Sequence, residues 1–249
     1  MRYYCSVCLL AKDEQDYITE WLEWHNAIGV DHFYIYDNNS VVPLRKSIPK
    51  HYQSKCTIID FSGNHRHTQM ECYAHCLKHY KNESHWMAFI DADEFIRLID
   101  NVNINSFLQE FEPYTGIYIG WINYNANGLE KQDARPVRER FTQRMTTYPN
   151  WMAKGKSIVQ MDQVTGMSAH CPLMHPNKPN MVLSDHNPMT NPWMSDFPEN
   201  RIVIDHYYTK SYEEWVKKLE RGSCDPYCIR KFDEFFIHNP DLAYLKNIA

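Results

Sequence analysis

Two carboxylates one residue apart are the strongest candidates for chemistry in this sequence. Asp91-Ala92-Asp93 directly follows residues 85–90, an apolar run that is typical of a buried strand. Carboxylates this close can share a divalent cation, or one can hold the metal while the other accepts a hydrogen bond from a ribose hydroxyl. The same tripeptide also occurs in solvated surface turns, so its position at a strand end is what favours a functional role.

A second acidic residue ends another predicted strand. Asp37 follows residues 31–36 and precedes the turn-forming run 38–40. Parallel strands would bring Asp37 and Asp91 to the same edge of a sheet, where polar side chains suit the base and ribose of a nucleotide. The alternative is a plain Asx turn without a ligand.

Basic and amide side chains are predicted at the same edge. Lys12 follows the first strand, while Arg66 and Gln69 begin the second helix. An arginine at a helix N-terminus strengthens a site that already suits anions. Ordinary surface charges are the alternative for Lys12 and Arg66. Lys156 and Lys210 are weaker candidates for contacting a diphosphate or an acceptor.

The elements that must position these residues alternate through the first hundred residues. Strand patterns occupy residues 3–10, 31–36, 56–61 and 85–90, and helical patterns occupy residues 18–28 and 66–81. This alternation predicts an α/β fold, with a mostly parallel central sheet, flanking helices and a Rossmann-like N-terminal half. Ligands bind at the carboxyl ends of the strands in such sheets.

The second half of the chain is less regular. Strands are predicted at residues 116–123, 157–161 and 202–207, and residues 171–198 form a long irregular segment that suits a lid or binding loop. A capping box at residues 211–214 begins a helix that ends near Gly222. Because no repeat or linker interrupts the chain, a single domain covering residues 1–249 is predicted.

Composition excludes some classes of protein. The 249 residues carry a formal net charge of −5, which argues against a uniformly basic surface for nucleic acid. No apolar run approaches the roughly 18 residues that a membrane span needs. The N-terminus lacks a signal-peptide pattern, so we expect a cytoplasmic protein.

The eight cysteines include three close pairs, which raises the question of zinc. Cys5 and Cys8 lie in a predicted strand, where their odd separation points them to opposite faces. Cys72 and Cys76 lie on a predicted helix rather than in a zinc knuckle's turn. Reduced, buried thiols are therefore favoured over a zinc site.

Taken together, these segments resemble GT-A-fold glycosyltransferases of the family 2-like and family 92-like group. The similarity spans most of the chain in the right order and thins between about residues 165 and 200. It rests on Ala11-Lys12-Asp13-Glu14, on residues 20–25, 29–38 and 86–95, on Glu139-Arg140-Phe141, on Lys156-Ser157-Ile158-Val159 and on residues 206–211.

The resemblance implies transfer of a sugar from a nucleotide-sugar, with inversion of the anomeric centre. Residues 1–100 would bind the donor, for which a UDP-sugar is expected, and residues 101–249 would bind a glycan or lipid-linked acceptor. Asp91 and Asp93 would hold a divalent metal, Mn²⁺ in preference to Mg²⁺, and Asp91 would also contact the donor. His206 matches the family position where a late histidine completes the metal sphere.

The general base is assigned to Glu139 because it matches the Glu-Arg-Phe stretch of the resemblance, and Asp162 and Asp185 are the alternatives. Four aromatic residues could line an acceptor groove or pack in the core: Trp121, Tyr124, Trp151 and Trp193. Two other functions stay open, a metal-dependent phosphohydrolase and a non-enzymatic module that binds zinc or a nucleotide. For the transferase we expect a location in the cytoplasm, with peripheral association at the inner face of a membrane.

Overall fold

A computed structural model describes residues 1–63, 67–100, 103–145, 155–175, 180–191, 197–223 and 230–247. The strands in these ranges are β1 (Tyr3–Ala11), β2 (His32–Asp37), β3 (Cys56–Asp60), β4 (Ser84–Phe89), β5 (Glu94–Leu98), β6 (Gly116–Asn123), β7 (Gly155–Gln160), β8 (Val164–Met167), β9 (Pro172–Met174), β10 (Met181–Val182) and β11 (Ile202–His206).

The α-helices of the same ranges differ widely in length. They are α1 (Ile18–Ala27), α2 (Leu44–Ser47), α3 (Thr68–Tyr80), α4 (Ile104–Gln109), α5 (Val137–Arg140), α6 (Tyr212–Arg221) and α7 (Glu234–His238), and 3-10 helices occupy Lys50–Lys55 and Pro240–Asn247. Among the helices of the described ranges, none is both long and apolar enough to cross a bilayer.

One nine-stranded sheet runs through both halves of the chain, in the order β3-β2-β1-β4-β7-β6-β11-β5, with β10 beside β6. Strands β1 to β4 pair in parallel, and β6 pairs in parallel with β11. Strand β7 is antiparallel to both β4 and β6, and β5 is antiparallel to β11. The α/β architecture is therefore mostly parallel with two reversed strands.

The predicted elements of the N-terminal half are confirmed, each within a few residues of the predicted bounds. Helix α1 ends before Gly29, whose φ of +100° is the left-handed conformation that glycine adopts at a helix C-terminus. Strand β5 was not predicted. The irregular segment 171–198 was wrong in part, because β9 and β10 lie in its described portions.

The hydrophobic core lies on both faces of the sheet. One face packs Cys5, Val7 and Leu9 against α1, and the other packs Cys8 against α3. Cys5 and Cys8 therefore point to opposite faces, as their spacing predicts. Burial raises the pKa of both thiols. The described cysteines form no zinc knuckle, and Cys224 and Cys228 lie outside the described residues.

Helix α6 is fixed at both ends by the local sequence. The Ser211 hydroxyl and the Glu214 carboxylate form the predicted capping box, and Gly222 ends the helix with a φ of +78°. Its apolar face packs Trp215 against Phe235 and Phe236 of α7. Beside this face, Lys218 and Arg221 contact the loops that follow β4 and β1, at the carboxyl edge of the sheet.

Candidate active site

The turn between β4 and β5 carries Asp91 and Asp93, and buried side chains hold it in place. The Trp21 indole of α1 donates to the carbonyl oxygens of Asp91 and Glu94, at 3.2 and 2.9 Å. The backbone N–H of Asp91 donates to the Glu94 carboxyl at 2.9 Å. Glu94 itself is fully buried, and this burial raises its pKa well above the usual value. Trp21 and Glu94 thus fix the backbone of the turn that carries the two aspartates.

Two side chains contact the Asp91 carboxylate, one at each oxygen. The Gln69 amide at the start of α3 donates to Oδ1 at 2.9 Å, and the Lys156 ammonium at the start of β7 lies 2.8 Å from Oδ2. Lys156 is almost completely buried and also donates to the Ala169 carbonyl at 3.1 Å. The Asp91 side chain remains 35% exposed, so its carboxylate can still accept a hydrogen bond from a ligand.

Asp93 lies deeper in the same turn, between a histidine and a lysine. Its Oδ1 is 3.8 Å from His206 Nε2, and its Oδ2 is 2.6 Å from the Lys218 ammonium. Burial by itself raises the pKa of Asp93, but the charges of Lys218 and Lys210 and the hydrogen bond from Lys218 outweigh burial and lower the pKa below its ordinary value. Asp93 is therefore a carboxylate at neutral pH.

His206 reaches Asp93 through sheet pairing. Strands β11 and β5 place His206 opposite Glu94, and the next N–H, that of Tyr207, donates to the Asp93 carbonyl at 2.9 Å. Burial lowers the pKa of His206 to about 4 in spite of the nearby Asp93 carboxylate, so the imidazole is neutral at pH 7. Its Nδ1 is buried without a hydrogen-bond partner among the described residues.

Lys218 was missed in the sequence. It lies four residues after Glu214 on an amphipathic helix, where a lysine is typical of a solvated face. In the structure its ammonium contacts Asp93 and also donates to the Tyr208 carbonyl at 2.7 Å. Burial lowers the pKa of Lys218 to about 8, so the ammonium is mostly protonated at pH 7.

A second group of charges surrounds the loop that follows β1. Arg221 of α6 donates to the Lys12 carbonyl at 2.7 Å and pairs with the Glu14 carboxylate. The Lys210 ammonium lies 3.9 Å from Glu14 and 3.3 Å from the centre of the Tyr17 ring. Among the contacts of the described residues, Lys12 therefore contacts this group of charges only through its backbone carbonyl, and its side chain is partly exposed.

Asp37 lies at the predicted edge, but its carboxylate shapes the following loop. Oδ1 accepts from the Ser40 N–H at 3.1 Å, and Oδ2 accepts from the Leu44 N–H at 2.8 Å. Both partners lie further along the chain than the i+2 N–H of an Asx turn, but the carboxylate acts on the backbone of the loop as that alternative expects. A contact between Asp37 and a nucleotide stays a prediction. Arg66, Trp151 and Trp193 lie outside the described residues.

The residues proposed as general base are scattered. Glu139 is exposed on α5, where its charge acts on Arg135, and no contact among the described residues joins it to the two aspartates. Its catalytic role stays a prediction. Asp162 follows β7, which runs antiparallel to β4, so it lies at the opposite edge of the sheet. Asp185 lies just after β10, beside the beginning of β6, at that same opposite edge. Both alternatives therefore lie away from the two aspartates.

The metal that the resemblance implies can be compared with the side chains present. Among the described residues, no group of three or more His, Cys, Asp or Glu side chains is placed to hold a metal ion. Asp93 and the neutral His206 form a pair of suitable donors 3.8 Å apart. Cations that serve phosphate chemistry are often bound by one or two protein ligands together with substrate phosphates. The donor set fits a metal of that kind.

The fold and the site define an α/β protein whose mostly parallel sheet carries a charged, buried cluster at its carboxyl edge, where such folds bind ligands. The chain belongs to glycosyltransferase family 92, because the sequence profile of that family matches residues 2–238. This match confirms the resemblance seen in the sequence motifs and argues against the phosphohydrolase and zinc-module alternatives.

Curated relatives carry the same family name. The family 92 protein Os08g0121900 of Oryza sativa subsp. japonica is 23% identical over 216 residues, which cover 86% of this chain and 34% of the rice protein. The family 92 protein RCOM_0530710 of Ricinus communis is 26% identical over 144 residues, which cover 56% of this chain and 26% of that protein. The chain thus matches about a third or less of the length of these relatives.

Among solved structures, the chain is similar to Staphylococcus aureus TarS 1-349 in complex with UDP-GlcNAc. The TM-score is 0.43 at 15% identity, covering 78% of this chain and 62% of TarS. HddC from Yersinia pseudotuberculosis gives a TM-score of 0.41 at 10% identity, covering 72% of this chain and 90% of HddC.

Proposed function

We propose that this chain transfers a sugar from a UDP-sugar to a hydroxyl group of a glycan or lipid-linked acceptor, with inversion and with Mn²⁺ bound at Asp93 and His206. The observation that carries the proposal is the convergence of Asp91 and Asp93 with two buried ammonium groups, those of Lys156 and Lys218, at the carboxyl edge of the sheet. Family 92 membership supports the reaction class.

The charges suit the departure of a nucleoside diphosphate. Negative charge develops on the diphosphate as its bond to the sugar breaks, and pre-placed positive groups stabilise it without reorganisation. A bound Mn²⁺ would add a divalent positive charge at this point. Gln69 and Lys156 fix the Asp91 carboxylate, which leaves Asp91 oriented to accept a hydrogen bond from the donor ribose.

The acceptor hydroxyl must lose its proton during the transfer, and Glu139 is the proposed base. If Glu139 holds this role, Glu139→Gln lowers kcat by about a hundredfold and leaves the Kd of UDP unchanged. An unchanged kcat removes Glu139 from the mechanism.

We also propose a cytoplasmic location with peripheral membrane association, which cell fractionation tests.

The first test is a thermal-shift panel of UDP, GDP and CMP, each with and without Mn²⁺. A ligand that binds the native state raises the melting temperature, so UDP with Mn²⁺ should stabilise the wild type while GDP and CMP do not. Asp93→Asn should lose this stabilisation. Asp185→Asn, at the opposite edge of the sheet, is the matched control and should keep it.

A second assay follows the reaction itself. Proton NMR of the product identifies the anomeric configuration, which should be opposite to that of the donor sugar. A product of the same configuration contradicts inversion. Release of free sugar as the main product in the presence of saturating acceptor contradicts transfer, because the chain would then be a hydrolase.

A further inference from the structure

Helix α6 directs two cations towards the candidate site from a position late in the sequence. Lys218 and Arg221 are three residues apart, which places them on one helix face. Lys218 reaches the turn after β4, and Arg221 reaches the loop after β1. The adjacent Lys217 points elsewhere, with its side chain 56% exposed and paired with Glu213 at 3.2 Å. The helix therefore separates a site-facing cation from a solvent-facing neighbour.

Lys218 retains hydrogen-bonding capacity for a ligand. An ammonium has three N–H donors, and Lys218 uses one on Asp93 at 2.6 Å and one on the Tyr208 carbonyl at 2.7 Å. The side chain is only 10% exposed, so a ligand bound at this edge would meet the third donor in a poorly solvated environment. Charge-assisted hydrogen bonds are strong in such an environment.

The cations of this region include two that are almost completely buried. Lys156 and Lys218 have side chains 2% and 10% exposed, and they lie against Asp91 and Asp93. Lys210 and Arg221 lie beside Glu14. An anionic ligand bound at this edge would therefore lie close to several positive charges.

We propose that Lys218 is a diphosphate-binding residue, which donates its third N–H to the β-phosphate of the nucleotide-sugar. This inference rests on the proposed function. In the transfer, the electron pair of the bond between the sugar C1 and the β-phosphate oxygen stays on that oxygen. The acceptor oxygen forms the new bond to C1, and its proton passes to the general base. Lys218 stabilises the charge that the β-phosphate oxygen gains.

The test compares ligands that differ only in their phosphates. Titration calorimetry in Mn²⁺ measures the Kd of UDP, UMP and uridine for wild type, Lys218→Gln and the control Lys217→Gln. Loss of one charge-assisted hydrogen bond should weaken UDP binding by about tenfold or more in Lys218→Gln. UMP and uridine, which lack the β-phosphate, should stay within about twofold. Lys217→Gln should match wild type for all three.

The outcomes separate this inference from the proposed function. Wild-type protein that binds no UDP overturns both. If wild type binds UDP, two results overturn the role of Lys218 alone. Either Lys218→Gln binds UDP as tightly as wild type, or its affinities for UDP, UMP and uridine all fall by the same factor. Lys218→Arg keeps the positive charge and should recover most of the preference for UDP over UMP. If Lys218→Arg prefers UDP over UMP no more than Lys218→Gln does, Lys218 has a structural role instead.

A measurement on wild-type protein covers the case in which Lys218→Gln does not fold. Slow acetylation followed by peptide mass spectrometry reports each lysine separately, with Lys217 as an internal control. UDP should slow the acetylation of Lys218 more than UMP does, and should leave that of Lys217 unchanged. Equal protection of Lys218 by UDP and UMP overturns a contact with the β-phosphate.

Discussion

Arg140 and Glu214 form a buried, two-pronged ion pair. The guanidinium Nη1 and Nη2 lie 2.7 and 3.0 Å from the two carboxylate oxygens, and each side chain is 2% exposed. Glu214 also completes the cap of α6 and accepts a hydrogen bond from the Tyr17 hydroxyl at 2.7 Å. The pair thus joins α5, the start of α6 and the residue before α1, and it helps to hold α6 in the position from which Lys218 reaches Asp93.

Arg140→Met should destabilise the chain strongly, because it leaves the Glu214 carboxylate buried without its guanidinium. Breaking a buried pair from one side costs about 3–5 kcal/mol of unfolding free energy. Arg135→Met is the control, since Arg135 pairs with Asp133 at an exposed position and its loss should leave the unfolding free energy nearly unchanged. Urea unfolding measures both variants. Equal effects of the two substitutions would contradict a structural role for the buried pair.

The same pair predicts a pH dependence of stability. Burial alone raises the pKa of Glu214, but the Arg140 hydrogen bond and the Lys210 charge outweigh it and lower the pKa to about 2. Above pH 4.5, Glu214 is ionised in both the folded and unfolded states, and its contribution, about 3 kcal/mol, is fully present. As the pH falls from 4.5 to 2, the unfolded chain takes up the proton first and the contribution is lost.

The measurement is the difference in unfolding free energy between wild type and Glu214→Gln at several pH values. Other carboxyl groups titrate similarly in both proteins and largely cancel. The stability advantage of wild type should be largest near pH 6 and should vanish near pH 2. An advantage that stays constant from pH 6 to pH 2 would show that Glu214 has an ordinary pKa.

The N-terminal strands and helices could be predicted because their partners lie close in sequence or follow general rules. Apolar runs mark β1, β2 and β4, and periodic apolar residues mark α1 and α3. The rule that parallel strands present their carboxyl ends at one edge placed Asp91 near Gln69, which the structure shows 2.9 Å apart. These inferences needed no knowledge of distant contacts.

Strand β5 and Lys218 could not be predicted because their environments depend on distant parts of the chain. The strand contains Glu94, which is buried under the turn, and Arg97, which pairs with Asp205 at 2.6 Å across 108 residues. These charged residues obscure the alternating pattern of a strand. Lys218 contacts Asp93 across 125 residues, and no local pattern distinguishes it from the exposed Lys217. Tertiary packing alone decides which of the two lysines faces the site.

Asp37→Asn should separate loop shaping from nucleotide binding. An asparagine offers one acceptor oxygen where Asp37 uses two, so the Ser40 or Leu44 N–H loses its partner at a cost of about 1–3 kcal/mol of stability. If Asp37 also contacts the base or ribose, the Kd of uridine and of UDP should rise by the same factor, about tenfold. Chemical unfolding and calorimetry measure the two effects.

Asp60→Asn is the matched control for this substitution. Asp60 pairs with Asp37 in the sheet register, but its side chain is 76% exposed and contacts Arg45. Asp60→Asn should therefore change the unfolding free energy by about 1 kcal/mol or less, and it should leave the Kd of uridine and of UDP unchanged. An Asp37→Asn protein that is destabilised yet binds uridine normally would limit Asp37 to shaping the loop.

His206→Phe should weaken the use of metal without disturbing the packing. The phenyl ring preserves the contact with the Trp121 ring, whose centre lies 4.5 Å from that of His206, but it removes the nitrogen that faces Asp93. The Mn²⁺ concentration that half-saturates UDP binding should rise by about tenfold or more, since even indirect support of a metal ligand contributes this much. Mn²⁺ without UDP should produce little thermal shift in either protein, because the described side chains supply only a partial donor set.

His186→Phe is the control for this substitution. His186 lies at the opposite edge of the sheet against Phe111, so the variant should behave as wild type. A Mn²⁺ requirement that is identical in His206→Phe and wild type would exclude His206 as a ligand and leave Asp91 and Asp93 as the candidates.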